Sequence, residues 1–306
     1  MDLFEAVFHG IIIASTPLVF AAIGELVVEK SGVLNLGVEG MMIIGAVCSF
    51  VVTIETGSYV YGVIAAIISG SIAASLFGFV TQYFLSNQVA SGLSLTIFGL
   101  GMAALIGQSY TGLSLTEFPE LNILTLNNIP ILNNILFSYD YLVYVSIFLV
   151  FAVYYFLNKS KFGLILKAVG DNHDAAYSLG YSVKRIRFFA ILFGGACAGL
   201  GGCYLSLVQT PFWVENMTSG RGWIALVIVV FSVWRPLWIL VGAYIFGGIT
   251  IIQLHIQGIG INIESQYLSM LPYIVTIFVL VFISTNKRRL TNNSPACLNK
   301  IFNADL

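Results

Sequence analysis

The sequence predicts an all-α integral membrane protein, a single domain over residues 1–306 built as a bundle of about nine transmembrane helices. Three observations predict it. Hydrophobic residues make up 58% of the chain, charged residues only 9%, and mean hydropathy is +0.94, whereas a water-facing surface carries about 25% charged residues. Apolar runs of roughly 20 residues, long enough to cross hydrocarbon as helix, recur along the chain. The basic residues sit in the breaks between those runs.

Taken in order, the first expected span is Leu3–Val28, with Pro17 as a kink. The acidic start MDLFEAVF lacks a basic n-region, so this span is expected to be retained rather than cleaved. The second, Val33–Ile54, opens in the glycine-rich SGVLNLGVEG of Ser31–Gly40. Tyr59–Leu85 and Val89–Gln108 follow. Residues 109–138 hold Glu117, Pro119, Glu120 and Pro130, and read as an outer loop with interfacial helices. The fifth span is Tyr139–Leu157, and a polar loop over 158–187 leads to the sixth, Arg187–Val208. Gly220–Val233 is a short seventh, Leu237–His255 the eighth and Ser269–Ser284 the ninth, before a polar tail at 285–306.

Charge placement orients the bundle. The 158–187 loop carries Lys159, Lys161, Lys167, Lys184, Arg185 and Arg187. If it is cytoplasmic, alternation puts Lys30, Arg235, Lys287, Arg288, Arg289 and Lys300 on the same side and leaves Arg221 outside, as the positive-inside rule demands. The N-terminus is then outside and the C-terminus cytoplasmic.

Enzymatic chemistry has no foothold. HExxH, GxSxG and GxxxxGK[ST] do not occur, and His9, His173 and His255 show no ligand spacing. Cys48, Cys197, Cys203 and Cys297 form no CxxC, and the first three lie in apolar runs as packing residues. No catalytic residue, cofactor, metal or nucleic-acid partner is expected. Gly194, Gly195, Ala198, Gly199, Gly201 and Gly202 instead make overlapping small-xxx-small patterns that let helices approach closely in lipid.

Two stretches carry the functional signal. Gly32, Asn35, Gly37, Glu39 and Gly40 interrupt what should be a smooth apolar span. Unwound backbone is tolerated there only if buried or lining a wet cavity, and an ionisable Glu39 faces the bundle interior or water. One reading makes these residues the lining or gate of a substrate route. The other makes them a turn entering the span, with Glu39 at headgroup depth beside Lys30. The second stretch is a short helix inside the basic loop. Asp171 or Asn172 can cap it, Asp174 suits its first turn and Gly180 ends it. Asn172, Ala175, Ala176 and Leu179 fall at i, i+3, i+4 and i+7, a small face that either docks a partner or merely closes a loop.

The blocks GELVVEKSGVLNLGVEGMMIIGA and LKAVGDNHDAAYSLGYSVKRIRFFAILFGGACAGLGG resemble the permease subunits of bacterial inner-membrane ABC importers for nucleosides and simple sugars. Ribose-type and branched-chain amino-acid-type permeases belong to the same larger group. The second block matches the coupling pattern A-x-G-x-N-x-x-A-A-x-x-x-G at Ala168, Gly170, Asn172, Ala175, Ala176 and Gly180. The resemblance implies that these residues, with Asp171 and Leu179, couple to a separate ATP-binding subunit, where ATP is bound. It also implies a second permease subunit, a paralogue rather than a copy, and an extracytoplasmic substrate-binding lipoprotein touching 109–138 and Thr210–Gly222 with Glu215 and Arg221. The basic flanks would sit on membrane lipids. Against the resemblance, His173 stands where the family often has proline, and one N-terminal span of the ten-span ribose type is expected to be absent, which implies a longer sister subunit. The first block is most similar to the guanosine branch. The alternatives are a ribose-type sugar permease and an ion-coupled secondary transporter with Glu39 as coupling acid. No paired half-helices or inverted repeat that would favour the last are legible in the sequence.

Overall fold

In the computed structural model, which describes residues 3–116, 118, 119, 139–258, 267, 270–284 and 293–303, the described chain is built from helices. They are α1 (Leu3–Lys30), α2 (Val38–Thr56), α3 (Tyr59–Gln82), α4 (Gln88–Gly107), α5 (Tyr141–Lys159), α6 (Lys161–Asp171), α7 (His173–Ser178), α8 (Val183–Tyr204), α9 (Arg221–Phe231), α10 (Pro236–Gly258) and α11 (Leu271–Ser284). Most of the expected outer loop 109–138 and Lys287, Arg288 and Arg289 lie outside the described residues.

Among the described residues, seven helices, α1–α5, α8 and α10, are long and apolar enough to cross a membrane. The other two expected spans are shorter. Helix α11 has 14 residues and α9 only 11. At 1.5 Å per residue α9 reaches roughly 16 Å, about half of the hydrocarbon thickness. The seventh expected crossing is therefore a half-helix entered through non-helical chain from Thr210 to Gly220. Its shortness was visible in the sequence; that it begins deep in the bundle was not.

Helices α1, α2 and α8 form the centre. Their apolar stretches are 83%, 72% and 67% buried, against about one third for α3, α4, α5 and α10, which present broad apolar faces outward. The centre closes on Gly199 of α8. A Cβ there would overlap the Ala66 carbonyl of α3, and one on Gly45 of α2 would overlap the Gly199 backbone. With no side chains between them, three helices touch backbone to backbone, the packing that lipid favours. Around this point lie Met41, Met42, Ala74, Ile191 and Ala198, all buried.

The caps follow local chemistry. Asn87 Oδ1 accepts the Ala90 N–H at the head of α4, and Asp140 Oδ1 accepts those of Leu142 and Val143 at the head of α5. The other Asp140 oxygen takes the Tyr204 hydroxyl at 2.9 Å, tying α5 to the end of α8. At the opposite end of the bundle, Lys30, Lys167 and Arg235, from three different breaks between spans, line one cavity of about 520 Å³ with Asp171 and Trp234. The charge pattern required these residues at one end, and they are.

Adding one methyl at the centre should cost more than 2 kcal/mol, as overpacking a rigid contact does. Gly199→Ala is expected to lower the thermal midpoint in detergent. Gly101→Ala, whose Cβ meets nothing within 4 Å, should leave it within roughly 0.5 kcal/mol of wild type.

Candidate permeation and coupling site

Between Lys30 and Val38 the chain is not helical, so its polar groups must find partners elsewhere. They do so systematically. The Leu34 N–H donates to Gln88 Oε1 at 2.9 Å, and the Asn35 N–H to Glu25 Oε1 at 3.1 Å. The Gly37 N–H donates to the Asn35 side-chain oxygen at 2.9 Å. Thr96 covers the Leu36 carbonyl, and Arg187 Nε the Ser31 carbonyl. Asn35, buried completely, thus organises the break from within. Gly40 packs on the Leu95 and Thr96 backbone of α4, seven to eight residues beyond the α4 start at Gln88. By helical rise that is about 10 Å into the bundle. Helix α2 therefore begins inside, not at the surface.

Glu39 sits at this internal start. One carboxylate oxygen accepts the Thr218 hydroxyl at 2.5 Å and the Gly220 N–H at 2.8 Å. The other accepts the Gly222 N–H at 2.6 Å. These donors are the head of α9, where free N–H groups and the helix dipole favour an anion. Gly220 begins the helix at φ +84, and Gly222 must be glycine because a Cβ would press on the Glu39 backbone. Two broken segments, Ser31–Gly37 and Thr210–Gly220, enter from opposite ends and meet at one carboxylate. The expected single break near the N-terminus is one of a pair. The Glu39–Lys30 pairing does not form, since Glu39, 3% exposed, is bonded to the head of α9, while Lys30 Nζ donates to the Asn293 carbonyl at 2.6 Å.

Two further acids belong to the site and were not singled out from the sequence. Glu25 and Glu29 lie one turn apart on α1, each 1% exposed. Glu25 holds Asn35, and Glu29 takes the Trp234 indole N–H at 2.5 Å, just beyond the end of α9. The signal was available: two carboxylates at i, i+4 in the last turns of an apolar span. Of the Thr210–Gly222 segment, Glu215 is exposed, whereas Trp213 and Thr218 are buried and Arg221 donates to Gln209 Oε1.

The segment expected to couple to a partner is two helices, α6 and α7. Ser160 caps α6 through the Gly163 N–H. Asn172, not Asp171, caps α7, its Oδ1 accepting the Ala175 N–H at 3.0 Å. Gly180 at φ +89 ends α7, with Gly180 N–H bonding Tyr177 O and Tyr181 N–H bonding Ala176 O, the paired bonds of a Schellman stop. Ala168, Asp171, Asn172, Ala175 and Leu179 are exposed, Leu179 to 77%. Gly170 and Ala176 are buried. The small face anticipated from spacing is thus split: Ala176 turns inward onto Val169, Val183 and Phe302, because α7 has no other apolar anchor of its own.

Behind α7 stands Arg187, fully buried. It donates to the Ser31 carbonyl, the Lys300 carbonyl and His173 Nδ1, each at 3.1 Å. Accepting from a guanidinium requires Nδ1 without a proton. Burial, then Arg187, push the His173 imidazole below its ordinary pKa; Lys300 acts the same way and Asp174, 3.5 Å away, opposes them.

Discontinuous helices meeting inside a bundle, beside a capped amphipathic segment at its basic end, define a multi-pass membrane permease. The chain belongs to the family described as the branched-chain amino acid transport system permease component, whose model matches residues 7–280. It is thus the permease subunit of an ABC transporter. It is 34% identical to a putative glucose ABC transporter permease of Haloferax volcanii over the full length of both chains. It is 30% identical to a nucleoside ABC transporter permease of Lactococcus lactis, covering 90% of this chain and 91% of that one. A guanosine ABC transporter permease of Bacillus subtilis is also 30% identical, over 92% of each. No solved structure matches.

Glu39→Gln exchanges one acceptor oxygen for a donor facing the α9 head, and should cost roughly 1.5–3 kcal/mol in a detergent melt. His173 gives a pH effect of defined sign. Its folded pKa is depressed, so its contribution is complete above about pH 6.5 and fades as pH falls through the folded value. Amide exchange in α7, corrected for intrinsic rates, should accelerate on acidification, and His173→Gln should flatten that response.

Proposed function

We propose that this permease takes up nucleosides such as guanosine across a bacterial cell (inner) membrane, driven by ATP bound and hydrolysed in a separate ATP-binding subunit. The basic end is cytoplasmic, with the N-terminus outside and the C-terminus inside. A paralogous second permease completes the pathway, and an extracytoplasmic binding lipoprotein delivers substrate to the opposite end. The observation that carries the reading is the exposed side of α7 and its two caps (Asn172, Ala175, Leu179) at the basic end, two buried contacts away from the broken segment that reaches Glu39. Nucleoside specificity is supported by two relatives aligned over nine tenths of the chain.

In this mechanism ATP-driven closure of the partner pushes α7 and α6 against the ends of α1 and α8. The push shifts Ser31–Gly37 and opens or closes the contact between Glu39 and α9. Asn35, Gly37, Glu39 and Gly40, with Gly32 at the entry, gate the route, and permeation needs the α9 head to leave Glu39. Glucose or a ribose-type sugar is the second reading, favoured by the full-length relative from Haloferax volcanii.

Ala175→Trp, on the exposed face, should weaken ATPase docking by roughly 2 kcal/mol or more, about 30-fold in affinity, with insertion intact. Ala176→Glu should instead disorder α7, since it buries a charge beside Phe302. Uptake of labelled guanosine and glucose into proteoliposomes holding the full complex, with and without ATP, tests substrate and energy source together. Guanosine uptake that persists without ATP would sink the reading, and glucose uptake alone would move it to the sugar branch.

A further inference from the structure

The segment Pro295–Phe302 lies against the coupling apparatus, with Pro295, Cys297 and Phe302 buried. The Cys297 N–H donates to the Gly170 carbonyl at 2.8 Å, and its Sγ lies 3.4 Å from the Asp171 carbonyl, both at the end of α6. Asn299 N–H donates to the Gly32 carbonyl at 3.2 Å, the first glycine of the membrane break. The Lys300 carbonyl accepts from Arg187. Phe302, 5% exposed, meets the His173 ring edge-on at 5.3 Å and Tyr177 at 5.4 Å. Turn bonds from Leu298 to Pro295 and from Lys300 to Cys297 keep the segment compact. Eight residues therefore join the end of α6, the inner side of α7, the buried Arg187 and the break.

We infer that Pro295–Phe302 is a positioning strap that fixes the coupling helix α7 to the broken segment Ser31–Gly37, so that movement of α7 is delivered to Glu39 and the half-helix α9. Three facts carry it. Helix α7 has six residues, far below the length that holds in water unaided, and its inward side chains, His173 and Ala176, rest on Phe302. The strap's contacts with the break are to backbone atoms, so they move the chain rather than a side chain. Arg187 is shared, bonding strap, coupling helix and Ser31 at once, so these three cannot shift independently while it is satisfied.

The inference rests on reading α7 as the docking element for an ATP-binding subunit. The test uses the full complex in proteoliposomes, measuring ATP hydrolysis and uptake of whichever substrate the wild type transports. Phe302→Ala should keep ATP turnover within about two-fold while transport per ATP falls about five-fold. Phe302→Leu should restore most of the ratio, and Ile301→Ala, a half-exposed neighbour, should leave it unchanged. A transport-to-ATP ratio that stays at the wild-type value in Phe302→Ala overturns the strap, including the case where hydrolysis and uptake fall together. A wild-type complex whose uptake needs no ATP overturns the docking reading and the strap with it.

Discussion

The interaction on which the membrane core depends is the Glu39 carboxylate on the head of α9. A helix that starts inside hydrocarbon leaves its first N–H groups without partners, and hydrocarbon supplies none. An anion at that spot satisfies them and complements the helix dipole, while the donors repay the cost of burying the charge. Each half of the arrangement is untenable alone. That mutual need fixes where α2 begins, where α9 begins, and why glycine is required at 222.

Around this lock the remaining irregular backbone is held by side chains from regular elements. Glu25 from α1, Gln88 and Thr96 from α4 and Arg187 from α8 each take one group of the break. The break is therefore a defined conformation. Because its partners come from several helices, a relative shift of those helices changes the hydrogen bonding of the break directly. Tight glycine contacts at Gly45, Gly70 and Gly199 make the central helices a rigid frame against which such a shift is felt.

At the basic end the same economy operates with a cation. Arg187 is buried because carbonyls of Ser31 and Lys300 and the unprotonated His173 nitrogen receive its protons. His173 gives α7 an acceptor for Arg187, and so a bond between that helix and the core. Glu29 and Trp234 make the corresponding link from α1 to the far end of α9.

Much was legible in the sequence, and for physical reasons. Hydropathy and the position of basic residues determined the class, seven of the nine expected spans and the common location of Lys30, Lys167 and Arg235, because hydrocarbon constrains each residue separately. Local chemistry likewise narrowed the cap of α7 to Asp171 or Asn172 and determined its stop at Gly180, since each acts within one turn. The glycines and acid of Ser31–Gly40 announced a break. Only the tertiary structure decided what the break meets. Glu39 and Gly222 are 183 residues apart, as Arg187 and Lys300 are 113 apart, and a partner at that distance leaves no periodicity to read. For the same reason spacing placed Ala176 on an outer face, while the Phe302 side chain, far along the chain, draws it inward.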